Sequence, residues 1–347
     1  MKKTKIIKIG GIEIGGGNPV AIQSMTNTDT RNVGSTCAQI AALKEAGCEI
    51  VRVAVPDLAA AKAIFEIKKK IEVPLVADIH FDYKLALAAI ESGCDKLRIN
   101  PGNIGGVENV KLIAEAAGKK NIPIRVGVNA GSLEREIYKK HGGVTAEGLV
   151  ESALGQVEIL EKQGFDNIVV AVKTHSVPMN ISAYMMLAEQ TNYPIHIGVT
   201  EAGGVFAGSI RSAVGIGALL ADGIGDTMRV SLTGDPLEEV RCAKEILKSL
   251  ELRKFGVEII SCPTCGRTEI DLARLADEVE KRCADVKKNI KVAVMGCVVN
   301  GPGEARDADV GVAGGKGKAV LFKNGETVGT VDETNVIQEL MALIEGY

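Results

Sequence analysis

Three cysteines in the last quarter of the sequence carry its most specific chemistry: Cys262-Pro263-Thr264-Cys265, and then Cys297 within Gly296-Cys297-Val298-Val299-Asn300-Gly301-Pro302-Gly303-Glu304. A Cys-x-x-Cys pair sets two sulfurs on one tight turn, and the fold must bring the third from beyond an intervening helix. Three thiolates hold a metal centre and leave one coordination position over. Glu304, seven residues after Cys297, is the nearest carboxylate in the same loop and offers an oxygen to a four-iron, four-sulfur cluster. A tetrahedral zinc with three thiolates and one further ligand fits the same residues. No histidine follows His196, which removes the commonest fourth zinc ligand and favours the cluster. Cys37, Cys48, Cys94, Cys242 and Cys283 lie in apolar surroundings, where a free cysteine is a small hydrophobe.

A second group of reactive residues recurs at the ends of short apolar runs. In chain order these are Gln23, Ser24 and Thr26; Arg52; Asp78 and His80; Arg98 and Asn100; Arg125 and Asn129; Lys173, Thr174 and His175; Thr200 and Glu201; Arg229 and Ser231. One arginine in a strand is most often a structural ion-pair partner. Four arginines and a lysine converging on one mouth, in a chain of formal charge -3, point instead to a ligand with several negative charges. A diphosphate suits them, because guanidinium forks match phosphoryl oxygens two at a time. Glu201, followed by Ala202-Gly203-Gly204, is the best-placed carboxylate for acid or base work. His80 and His175 read as either proton donors or hydrogen-bonded wall residues.

The elements that must position these groups alternate between Val/Ile-rich runs and amphipathic stretches, the pattern of repeated βα units. Eight strands are expected: 21–25, 50–55, 75–79, 96–100, 124–128, 168–172, 195–199 and 227–232. Helical spacing fills the intervals, as in 57–71 and 237–250. Eight such units predict an α/β fold, a TIM (β/α)8 barrel, over residues 1–250, with the polar residues at the carboxyl ends of its strands. Ile6 to Gly15 predicts a hairpin turning at Gly10-Gly11 and capping the barrel floor. Residues 251–347 then predict a small α+β domain. Its elements are a strand at 257–260, the cysteine pair, a helix at 269–286, a strand at 292–295, two short strands and a helix at 332–344. The linker is placed at 248–256.

Composition excludes several classes. Aromatic residues make up only 3% of the chain, which argues against base stacking, and the near-neutral charge gives no footprint for nucleic acid or an anionic membrane. No run of eighteen apolar residues occurs, and Met1-Lys2-Lys3 is not followed by an apolar signal segment. With unpaired cysteines throughout, the expected location is a reducing cytoplasm.

Several runs together resemble one family: Gln23-Ser24-Met25-Thr26-Asn27-Thr28, Arg98-Ile99-Asn100-Pro101-Gly102-Asn103, Arg125-Val126-Gly127-Val128-Asn129, Thr200-Glu201-Ala202-Gly203-Gly204, Gly223-Ile224-Gly225-Asp226-Thr227, and Gly296 to Glu304. The chain resembles the (E)-4-hydroxy-3-methylbut-2-enyl diphosphate synthases of the non-mevalonate isoprenoid pathway, in their two-domain bacterial form. The resemblance covers essentially the whole chain and implies a barrel followed by an iron–sulfur domain. It also implies reductive dehydroxylation and ring opening of 2-C-methyl-D-erythritol 2,4-cyclodiphosphate. Two single electrons would pass through a [4Fe-4S] cluster from reduced flavodoxin or ferredoxin.

By the same resemblance, Cys262, Cys265, Cys297 and Glu304 would ligate the cluster, with Glu304 displaceable and Asn300 beside it. Arg52, Arg98, Arg125, Asn129, Lys173, Arg229 and Ser231 would grip the substrate, and Glu201 would handle a proton or orient the reacting carbons. Thr174-His175 departs from the family's small residue pair. A head-to-tail homodimer with composite active sites is implied. Two other readings stand beside it: a zinc-stabilised, phosphate-binding barrel transferase, and a non-catalytic iron–sulfur carrier or sensor.

Overall fold

The N-terminal strands β1 (Ile7–Ile9) and β2 (Ile12–Ile14) pair antiparallel, with Ile9 opposite Ile12 across the Gly10-Gly11 turn. Gly10 takes a positive φ of 55°, where a side chain would meet Pro74 and Asp95 at just over 3 Å. The hairpin's inward face, Ile7, Ile9 and Ile14, packs with Ala21, Ile50, Val76 and Val169, all in the opening residues of barrel strands. It therefore closes the floor. This computed structural model describes residues 3–100, 103–284, 286–297, 303 and 307–347. The chain divides into two compact units, Met1–Leu252 and Arg253–Tyr347.

In the first unit, eight parallel strands alternate with helices: β3 (Ala21–Met25), β4 (Ile50–Ala54), β5 (Leu75–Asp78), β6 (Lys96–Ile99), β7 (Ile124–Asn129), β8 (Ile168–Lys173), β9 (His196–Ile197) and β10 (Thr227–Met228). Their order is β8-β7-β6-β5-β4-β3-β10-β9, and a parallel bridge from Val170 to Ile195 joins the two ends into a barrel. The wall is uneven. β8 pairs with β7 over six residues, whereas β9 and β10 share only two paired positions. The runs 195–199 and 227–232 were expected as full strands, but the ladder stops early. Side-chain bonds locate this segment instead: the Asp226 carboxylate accepts from Thr4 Oγ1 (2.7 Å) and from the Ile195 amide (2.7 Å).

The helices start where the strands end, and the connecting residues supply their caps. Asp57 accepts from the Ala60 amide at 2.9 Å to begin α2 (Leu58–Lys68), and Asp235 accepts from Leu237 at 3.0 Å to begin α9 (Pro236–Ser249). Such caps satisfy amides that the first turn leaves without partners.

The second unit is a five-stranded mixed sheet. β11 (Glu258–Ser261), β12 (Lys291–Met295) and β13 (Val310–Gly315) are parallel. β14 (Lys318–Lys323) and β15 (Glu326–Asp332) continue the sheet antiparallel. Helices α10 (Leu272–Cys283) and α11 (Val336–Glu345) contribute Leu275, Val279, Leu340 and Ile344 to a core with Val292, Val294, Val310 and Val312. The strand β13 corrects the expectation of two strands after the Cys297 loop; there are three. Its sequence, Val-Gly-Val-Ala-Gly-Gly, is too poor in bulky residues to read as a strand, and the structure shows the reason. A side chain at Gly311 would lie 2.3 Å from the Phe322 ring, and one at Gly314 would lie 2.5 Å from Ile270.

Among the described residues no helix is long and apolar enough to cross a membrane. The hairpin's role gives a first prediction. Ile9→Ala empties a fully buried position and should lower barrel stability by about 3 kcal/mol. Thermal denaturation should show this while anion binding at the opposite end of the barrel is unchanged.

Candidate active site

At the carboxyl ends of the strands lies a cleft of about 410 Å3, lined among others by Arg98, Asn100, Asn129, His175, Thr200 and Glu201. Side chains two residues apart on a strand share a face, and in β6 this places Lys96 below Arg98, both buried. Lys96 Nζ donates to Gln23 Oε1 at 3.1 Å, from β6 to β3, so the two meet inside the barrel. Both faces of a parallel barrel strand are covered, which makes each charged residue on the inner face a buried charge.

The inner cations are Arg52, Lys96, Arg98, Arg125, Lys173 and Arg229; the carboxylates that meet them are Asp78 and Glu239. Asp78 accepts from Arg98 Nη1 at 3.1 Å, with Arg52 Nε at 3.9 Å and His80 Nε2 at 3.3 Å. Burial alone would raise its carboxyl, but Arg52, the His80 contact and Arg98 outweigh that and hold it well below the usual carboxylate range. Arg52 also directs Nε and Nη2 at the Met25 sulfur, at 3.1 and 2.9 Å. Glu239 receives Arg229 Nε (3.2 Å) and Nη2 (3.1 Å), Ser24 Oγ (2.9 Å) and the Leu232 amide (3.1 Å).

Arg125 is 2% exposed, and among the described residues it has no carboxylate in salt-bridge range and no acceptor for its Nε–H. Lys173 is also buried; its Nζ lies 3.3 Å from His196 Nε2. Positive charge in this interior therefore exceeds negative, and the remainder is available to an anion.

Glu201 stands at the rim with its side chain 76% exposed, 4.0 Å from His175 Nδ1. Its φ of 54° is left-handed, a conformation a glutamate adopts at a cost of ~1 kcal/mol or more. The cleft thus collects Arg98, Asn129 and Glu201, while Arg52, Arg125 and Lys173 are not part of its lining and Arg229 is held toward Glu239. Ser231 is half-buried beyond the end of β10. His80, tied to Asp78 and to Arg98 Nη1 at 3.3 Å, fits the wall-residue reading.

Three residues of this network were not singled out from sequence. Glu239 lies on α9 in a pattern read as a solvated outer face; the signal was its spacing with Val240, Ala243 and Leu247, which makes it a charge on the buried side. His196 entered the sequence reading only as the last histidine. Lys96 opens β6, Lys-Leu-Arg-Ile, two residues before Arg98; the face it shares with that arginine was the signal.

The cysteines gather in the second unit. β11 and β12 are parallel neighbours, so Cys262, after β11, and Cys297, after Gly296 and β12, follow adjacent strand ends on one edge of the sheet. The Gly296 amide donates to Cys262 Sγ at 3.3 Å. Thr268 Oγ1 accepts from the Cys265 amide at 3.0 Å, and the Glu269 amide donates to the Gly296 carbonyl at 2.9 Å, tying the Cys-x-x-Cys turn to the Cys297 loop. A side chain at Gly296 would lie 3.0 Å from Thr268 and Leu272, so glycine is what allows this approach. A backbone hydrogen bond from Arg267 and the Arg267 charge lower the exposed Cys265 thiol and favour its thiolate.

By contrast, burial pushes Cys48 and Cys94 up to about 12 and raises Cys37, Cys242 and Cys283, keeping them as inert thiols. All eight cysteines are free. The three-thiolate donor set fits a metal–sulfur centre in chemistry, although among the described residues no group of three His, Cys, Asp or Glu side chains is closed to ligand range. Asn300 and Glu304 lie outside the described residues.

Fold and site together define a (β/α)8-barrel protein with a cation-rich interior, joined to a second unit that brings cysteines to neighbouring strand ends of its sheet. Residues 4–244 match the GcpE TIM-barrel domain and residues 258–346 match the GcpE protein C-terminal domain, and the chain belongs to the GcpE family. The 4-hydroxy-3-methylbut-2-en-1-yl diphosphate synthase (flavodoxin) of Caldanaerobacter subterraneus subsp. tengcongensis is 59% identical over 99% of this chain and 97% of its own. The protein of that name from Clostridium perfringens is 58% identical over 99% of each. Among solved structures, dihydropteroate synthase from Stenotrophomonas maltophilia superposes with a TM-score of 0.52 at 11% identity, over 72% of this chain and 98% of that one, a likeness of fold.

Asp78→Asn should destabilise the barrel by about 3 kcal/mol at neutral pH, because two guanidinium groups lose their countercharge in a buried setting. The folded-state pKa of Asp78 lies below its unfolded value of about 4. Its stabilisation is thus complete above that pH and is lost as the pH falls below it. Melting curves should show acid destabilisation in the parent chain that the variant partly lacks, and inorganic diphosphate should raise the variant's melting temperature more.

Proposed function

We propose that this chain catalyses the reductive opening of 2-C-methyl-D-erythritol 2,4-cyclodiphosphate to (E)-4-hydroxy-3-methylbut-2-enyl diphosphate, taking electrons from reduced flavodoxin. The observation that carries this reading is the unbalanced positive charge inside the barrel, in a chain whose relatives across both units are named as that synthase. In the balanced reaction two electrons and protons enter, one ring bond to the diphosphate breaks, and a hydroxyl leaves as water.

Arg98, Arg125, Lys173, Arg52 and Arg229 supply the fixed charges for the diphosphate, with Asn129 and Ser231 as neutral donors. Because Asp78 and Glu239 already orient three of the guanidinium groups, little side-chain freedom is left to lose on binding. The diphosphate then provides remote binding energy that holds the carbon skeleton at the rim. There Glu201, an exposed carboxylate on a left-handed backbone, carries or orients the proton, with His175 beside it.

Cys262, Cys265 and Cys297 are assigned as thiolate ligands of a [4Fe-4S] cluster, with Glu304 as the fourth ligand and Asn300 facing the substrate. When bound, that cluster supplies single electrons and a Lewis-acidic iron. The Gly296 amide, pointed at Cys262 Sγ, stabilises thiolate charge. Helix α9 runs away from the mouth and ends at Ser249, close before β11 at Glu258. The family resemblance further implies a head-to-tail homodimer in which each mouth is served by the partner. Eight free cysteines suit a reducing cytoplasm.

Protein purified without oxygen should contain about four irons and four sulfides per chain and bleach with dithionite; one zinc and no sulfide would overturn the assignment. Glu304→Ala should keep the iron and lose most turnover. Arg125→Ala, assayed with the cyclodiphosphate and a reduced donor, should raise KM at least about tenfold, and an unchanged KM would refute the clamp.

A further inference from the structure

One buried group in the barrel has no role in the reading above. His196, on β9, is fully buried, with ring nitrogens on two partners: Nε2 lies 3.3 Å from Lys173 Nζ and Nδ1 lies 2.8 Å from Thr227 Oγ1. Its backbone is pinned as well, since Tyr184 donates its hydroxyl to the His196 carbonyl at 2.8 Å.

We propose that His196 is a positioning residue for Lys173: a neutral imidazole that donates Nδ1–H to Thr227 and offers the Nε2 lone pair to the lysine ammonium. The inference rests on Lys173 belonging to the diphosphate clamp. Burial and the neighbouring arginines lower Lys173 well below its ordinary range, and an arriving dianion favours its ammonium. That ammonium has three donors and no acceptor, so a hydrogen bond to it requires an unprotonated ring nitrogen. The tautomer follows from that, because the remaining proton sits on Nδ1, within reach of the Thr227 oxygen.

The surroundings enforce neutrality. The imidazole faces Lys173, Lys96, Arg125 and Arg52, and among the described residues no carboxylate comes within salt-bridge range. Burial and these cations press its protonation well below the ordinary range. A second observation fixes where the lysine runs. Gly198, two residues beyond His196, has no room for a side chain, because a Cβ there would sit 2.6 Å from Lys173 Nζ and 2.5 Å from the Arg229 carbonyl. The tip of Lys173, its Cε and Nζ, therefore lies against the bare Gly198 backbone and ends on His196.

The direct test is the nitrogen NMR spectrum of histidine-labelled, oxidised protein, with His196 assigned by its loss in His196→Gln. An unprotonated Nε2 and a protonated Nδ1 are expected; the reverse tautomer or a doubly protonated ring would overturn the proposal. Binding of inorganic diphosphate gives the functional readout. His196→Leu should weaken it about tenfold and raise the cyclodiphosphate KM by a similar factor with a smaller change in kcat. His196→Gln, which restores an acceptor, should recover most of the loss. Diphosphate affinity in folded His196→Leu equal to that of the parent chain would sink the inference. If the leucine variant does not fold, Thr227→Val, which removes the Nδ1 partner, must weaken diphosphate binding for the proposal to stand. Lys173→Met separates the two levels. If it binds diphosphate as tightly as the parent, the clamp reading of Lys173 fails and the functional role of His196 with it. If it loses affinity while His196→Leu does not, only the His196 inference fails.

Discussion

A closed barrel with several cations and few carboxylates inside must spend structure on keeping those cations apart and oriented. Each charge taken from water costs several kcal/mol unless it is paired or hydrogen-bonded. This chain meets the demand in three ways. Asp78 serves Arg52 and Arg98 together; Glu239 reaches in from a helix to take Arg229; and Lys96 and Lys173 rest on neutral acceptors, Gln23 and His196. Arg125 is left with the least compensation among the described residues. An arriving dianion supplies what the protein withholds, so affinity and fold stability draw on the same electrostatic imbalance.

The same economy explains the glycines of the wall. A Cβ at Gly127 would lie 3.1 Å from Arg98 Nε, and one at Gly198 would lie 2.6 Å from Lys173 Nζ. Neither residue has the positive φ that would require glycine. Their role is volume: each gives a long cationic side chain a path along a neighbouring strand. In the second unit Gly296 and Gly311 do likewise for Thr268 and for the Phe322 ring.

Much of this was legible in the sequence because barrel strands announce themselves by short β-branched runs between capped helices. All eight were found, as was the floor hairpin from Gly10-Gly11 and its flanking isoleucines. The losses have physical causes. Strands β9 and β10 are shorter than their apolar runs because polar side chains, and not a ladder, hold their ends; β13 was missed because glycines make room for Phe322 and Ile270. The arginines of the site were visible one by one, since each lies in or just after a strand; Arg125, the second residue of β7, lies farthest from its strand's end. Of their two countercharges, Asp78 was visible with them at a strand end, but Glu239 was not: it comes from a helix that reads as amphipathic, and its partner Arg229 is ten residues earlier on another element. Pairings of this kind are set by tertiary approach, which no local period encodes. The three cysteines stood out by their spacing, while the bond from Gly296 to Cys262 Sγ needed the parallel pairing of β11 and β12.

The shortness of β9 and β10 has a dynamic consequence. Six paired residues tie β7 to β8, whereas two tie β9 to β10 and a single bridge joins β9 to β8. Local opening costs least where backbone bonds are fewest. The barrel therefore has a seam, and His196 and Arg229 lie along it with Lys173 at its margin. Amide hydrogens there should exchange with solvent well ahead of those in β7, and an anion that crosslinks the cations on both sides should slow that exchange.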